Sequence, residues 1–114
     1  MDDVKKFEEM AIKSFNVGKM GDYRTSNRCG ATIRKIAIKL YKNGEMEKLK
    51  PLMYSEHDAV KFEAATKLLP FYTEEAEAVL ESLAPKKGSS LYHMAEVTLQ
   101  EWRKGNIKFE YYQK

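Results

Sequence analysis

The residues whose side chains could do chemistry are few and stand apart. Cys29, His57 and His93 are the single cysteine and the two histidines of the chain. They fall on three different stretches, with none of the close pair spacings of zinc ligands, so no metal centre is expected. A nucleophilic Cys29 would need a base brought alongside it. Its neighbours Ser26 and Gly30 place it instead in a stripe of small residues, as a structural thiol. Gly18 and Gly21 lack the lysine and hydroxyl of a phosphate-binding loop. Glu74, Glu75, Glu77 and Glu81 gather on one predicted helix, and acidic residues there suit the positive end of the helix dipole. As a surface they would form an acidic patch for a basic partner. Glu77 and Glu81, one turn apart, make no glycosidase or metal pair without a cleft and further ligands. Arg24 and Arg28, also one turn apart, are the pair suited to phosphate. No catalytic residue and no cofactor are expected, and the chain reads as a non-enzyme.

Composition supports that reading. The formal net charge is only +3, and 32% of the residues are charged with both signs mixed. That suits a solvated helical surface, and a nucleic-acid partner is not expected from it. One cysteine rules out an internal disulfide and fits a reducing cytoplasm. The start Met1-Asp2-Asp3 carries no signal-peptide pattern. No stretch approaches eighteen consecutive apolar residues. A chain of 114 residues forms one domain, expected in the cytoplasm.

Six predicted helices must position these residues. The first runs from Asp2 to about Val17, with Val4, Phe7, Ala11 and Phe15 on one stripe. Asp22 can cap a second that runs to about Lys42, with Ile33, Ile36, Ala37 and Leu40 inward and Gly30 explained by close packing on the first helix, the alternative being a bend there. A short helix from Glu45 to about Tyr54 contains Pro51, which should break its last turn. Asp58 should cap the fourth, where Val60, Ala64 and Leu68 recur every four residues and Pro70 marks the exit. Ala64 and Ala65 are expected to be buried between helices. Thr73 should cap the fifth, which ends near Leu83, and Ser89 or Ser90 the sixth, where Leu91, Ala95, Leu99 and Trp102 face inward. Residues 1–106 form the helical domain. Residues 107–114 form an extended tail held by Ile107 and Phe109, and Tyr111 and Tyr112 are either its most exposed residues or part of its packing.

The helices fall into three antiparallel pairs starting near residues 3, 45 and 73, and such units must stack to bury their faces. From Glu45 to Phe109 the sequence resembles a small bacterial family of HEAT-like domains of unknown function. The resemblance is carried by Leu49-x-x-Leu52, Ser55-x-x-Asp58-x-Val60-Lys61-x-x-Ala64-Ala65, Glu74-Glu75-Ala76-x-x-Val79-Leu80 and Glu96-x-Thr98-Leu99-x-Glu101-Trp102-x-x-Gly105. It implies an all-α fold, a short right-handed HEAT- or armadillo-like solenoid. Similar domains occur among immunity proteins of bacterial toxin systems, which implies a toxin-binding role by occlusion of an active site. The partner surface is expected on the last helix, where Tyr92, Glu96, Gln100 and Arg103 form a stripe that the core does not use, with His93 at its edge. Glu63 and Lys67 should be exposed on the fourth helix, with Phe62 partly so. The alternative is a nucleic-acid-binding HEAT-like domain using the Arg24/Arg28 side.

Overall fold

Side-chain caps set the starts of three of the helices. The computed structural model describes residues 2–112. Helix α1 (Asp3–Lys19) starts where the Asp2 carboxylate accepts the N–H of Val4 at 2.9 Å. Helix α2 (Tyr23–Lys42) starts where the Asp22 carboxylate accepts the N–H of Thr25 at 3.1 Å. Gly21 turns the chain between them at φ 87°, a conformation a side chain would strain. A 3-10 helix, Met46–Tyr54, follows. Pro51 has no N–H to give, and in an α-helix its ring would clash with the carbonyl four residues back. The segment takes the tighter winding instead. Then come α3 (Asp58–Leu68), α4 (Thr73–Leu83) and α5 (Ser90–Arg103). Ser89 caps α5 by accepting the N–H of Leu91 at 3.2 Å.

Two expected caps are not made. His57 stands at the cap position of α3, and Asp58 is the first helical residue, its carboxylate turned to Lys86 and Tyr92. Thr73 likewise opens α4 without capping it, and its hydroxyl donates to the Leu69 carbonyl at 2.7 Å. For Asp58 distant partners displaced the local one, and for Thr73 the carbonyl one turn back did.

The helices pair antiparallel where their side chains fix the direction. Ser14 and Ser26 lock α1 to α2 beside the turn, hydroxyl to hydroxyl at 2.8 Å, while Asp3 meets Lys39 at the far end at 3.0 Å. In the last pair, Trp102 at the end of α5 donates its indole N–H to Glu77 early in α4 at 3.0 Å. The first pair packs on the 3-10 helix and α3, and α3 packs on α4 and α5. Helix α3 is therefore the central element. Val60, Ala64, Ala65 and Leu68 are fully buried, as the spacing predicts for the alanines, and Phe62 is buried too. No residue of α3 is fully exposed, its polar side chains being half-buried, which corrects the expectation that Phe62 reaches the surface.

Gly30 is also corrected. A Cβ built on it meets nothing within 4 Å, so close packing on α1 does not explain it. The tail differs from expectation in its second half. After an extended stretch through Phe109 it winds into a 3-10 turn, Glu110–Tyr112. Phe109 and Tyr112 are both buried, and the Tyr112 hydroxyl donates to the Lys67 carbonyl at 3.0 Å. Tyr112 is thus an anchor, not an exposed residue. The Tyr111 side chain and residues 113–114 lie outside the described part. Ring contacts of 5.0–5.9 Å join Trp102, Phe109 and Tyr112 to Phe71 and to Tyr41 on α2, so the tail ties α5 back to the first pair.

Candidate interaction surfaces

The expected stripe on α5 divides into tied and free residues. The Tyr92 hydroxyl donates to Asp58 Oδ2 at 2.8 Å. Arg103 donates to Glu77 at 3.3 Å and also to Glu81. These two side chains hold α5 against α3 and α4. His93, Glu96 and Gln100 remain exposed, with the Gln100 amide donating to Glu96 at 3.3 Å. Beside them stand two apolar residues that the stripe reading passed over, Met94 and Val97, 52% and 40% exposed. Their sequence signal was apolar character at i, i+3 on positions that Leu91, Ala95 and Leu99 leave outward.

On α3, Glu63 and Lys67 pair at 3.5 Å, with side chains only 22% and 12% exposed. The expectation that both are exposed is corrected. The tail lies beside them through Tyr112 and covers that part of α3.

The acidic residues of α4 do not form one patch. Glu77 and Glu81 face α5 and are held by Arg103. Glu75 faces the 3-10 helix, accepting from the Tyr54 hydroxyl at 2.8 Å and pairing with Lys50 at 3.3 Å. Those two bonds hold its carboxyl below the usual range. A shallow groove of about 530 Å³ runs past Tyr54, Lys61, Glu74 and Glu75. A second, of about 690 Å³, lies along the tail between Tyr41, Pro70, Phe71 and Trp102.

Asp58 gathers the strongest polar cluster. Lys86 from the α4–α5 turn meets it at 3.0 Å, Tyr92 from α5 at 2.8 Å and Lys61 at 3.9 Å. Burial alone would raise its pKa. The bonds from Lys86 and Tyr92 and the charges of Lys86 and Lys61 outweigh that and hold the carboxyl below its ordinary value. The same contact raises the Tyr92 and Lys86 values. The cluster has the makings of a structural tie between three elements.

Cys29 is buried and His57 exposed. Among the described residues, no group of three His, Cys, Asp or Glu side chains is placed to hold a metal ion. No described helix is long and apolar enough to cross a membrane. Arg24 and Arg28 are both exposed on the first turns of α2. The chain matches no family model, no curated protein and no solved structure.

Proposed function

We propose that the chain is a non-enzymatic, cytoplasmic helical-repeat domain that binds another protein. In this reading it is a short right-handed HEAT- or armadillo-like solenoid, and the specific form is neutralisation of a bacterial toxin by covering its active site. Support for the solenoid comes from the stacking of each helix pair on its neighbour. The observation that carries the binding reading is the outer face of α5. Exposed Met94 and Val97 sit there among exposed His93, Glu96 and Gln100. An apolar centre with a polar rim is the anatomy of a contact surface. Tyr92 and Arg103 serve that face by fixing the helix. Glu63, Lys67 and Phe62 take no part in it.

The test is capture of the partner from the source cells by the tagged protein, followed by Met94→Glu and Val97→Glu. Both positions are exposed, so the fold should hold. Each charge should weaken capture by tenfold or more, about 1.4 kcal/mol or above. Capture at full strength by both variants would place the contact elsewhere.

A further inference from the structure

The modest net charge conceals a sharp local imbalance. Between residues 13 and 42 the chain has eight lysines and arginines and a single acid, Asp22. Helix α2 itself carries Arg24, Arg28, Arg34, Lys35, Lys39 and Lys42 and no acidic residue at all. All six are exposed. At about 100° of turn per residue, five of them, all but Arg34, fall within an arc of roughly 60°. The buried residues of the helix, Cys29, Ile33, Ile36, Ala37 and Leu40, lie on the opposite side. The result is a straight cationic ridge. At about 1.5 Å of rise per residue it is roughly 27 Å long from Arg24 to Lys42.

Little within the fold neutralises it. Lys39 pairs with Asp3, and the Asp22 carboxylate is already occupied as the cap of α2. Arg24, Arg28, Lys35 and Lys42 form no salt bridge among the described residues. About 100° round the helix from Arg24 and Lys42, and with the Tyr41 ring already in contact with Phe71 and Tyr112, stand Tyr23 and Tyr41, 69% and 36% exposed. They are eighteen residues apart, about five full turns, and so stand on the same line along the helix. Gly30 lies between them, and its Cβ position opens onto empty space.

We propose that this face of α2 binds single-stranded nucleic acid without sequence preference. The cations track the phosphodiester backbone, and the exposed Tyr23 ring offers a flat face to an unpaired base. A cationic track with aromatic platforms is how single strands are held. An anionic bilayer fits less well. A helix lying on lipid needs an apolar face to bury there, and the apolar face of α2 is already inside the protein. This surface is on a different helix from the proposed protein contact and does not depend on it.

The experiment is fluorescence anisotropy on the intact protein. The probes are labelled oligo-dT, its duplex with oligo-dA, and phosphatidylcholine vesicles with and without phosphatidylserine. Oligo-dT should bind more tightly than the duplex or the vesicles. Its affinity should fall as salt rises from about 50 to about 200 mM, with a log–log slope near −3.5 for about five phosphates. Arg24→Ala with Arg28→Ala should weaken binding at least about tenfold and reduce the slope to about −2. Ala31→Glu, an exposed position on the ridge between Arg28 and Lys35, should weaken binding while leaving the melting curve unchanged. Tyr23→Ala should weaken oligo-dT binding and leave the slope unaltered. The proposal is overturned if oligo-dT does not bind at about 50 mM salt. Tighter binding to the duplex or to anionic vesicles overturns it too, as does full-strength binding by the folded Ala31→Glu variant.

Discussion

Asp58 shows how one side chain can hold three elements. It opens α3 and receives Lys86 from the α4–α5 turn and Tyr92 from α5. Because its pKa is lower in the folded chain, its contribution to stability is fully present above about pH 4. It is lost as the pH falls through the folded value. Lys86 and Tyr92 titrate higher when folded, so their contributions are present below about pH 10 and lost as the pH rises through their folded values. The stability gap between the wild type and Asp58→Asn, read from urea unfolding, should therefore be level through neutral pH and close below about pH 4. A gap that persists undiminished at about pH 3 would remove Asp58 from this role. The sequence marked Asp58 as important but for the wrong reason. Capping is a local rule and can be read locally, whereas a partner twenty-eight or thirty-four residues away is set by how the pairs stack.

Among the elements, α2 and α3 are opposites. Helix α3 is buried nearly all round, and its small residues Ala64 and Ala65 let neighbours approach. That centre was legible, since the alanines sit mid-stripe. Phe62 was misplaced because a helix flanked on all sides loses the one-sided pattern that spacing detects. Helix α2 is one-sided, and its inward residues Ile33, Ile36, Ala37 and Leu40 were read correctly. Its glycine was not. Gly30 stands in open space with an ordinary helical conformation, so nothing in the packing requires it. Gly30→Ala should stabilise the protein by about 0.5–1 kcal/mol, raising the melting temperature by about 4 °C. A lower melting temperature would reveal a packing demand at this site.

At the scale of the molecule, the first two helices pack on the 3-10 helix and α3, α3 packs on α4 and α5, and the tail runs back to α2. Trp102, Phe109, Tyr112, Phe71 and Tyr41 form one aromatic chain from the last pair to the first. The helices were legible from their apolar stripes, which are repeated and local. Of the tail, Phe109 was legible as a holding residue, whereas the burial of Tyr112 rests on ring contacts with Phe71 and Tyr41, far off in the chain. The same limit governed the candidate surface: a stripe that avoids the core looks free in sequence, even where its ends are tied to other helices. Helix α5 has one side committed to the fold through Tyr92 and Arg103, and another, around Met94 and Val97, open to solvent. Thermal melts of Tyr92→Phe and Val97→Glu, measured side by side, test this most directly. Tyr92→Phe, which removes only a hydroxyl, should lower the melting temperature by about 4 °C through the lost bond to Asp58. Val97→Glu, despite adding a charge, should leave it unchanged. The reverse result, a neutral Tyr92→Phe and a destabilising Val97→Glu, would contradict the division of this helix into an inner and an outer face.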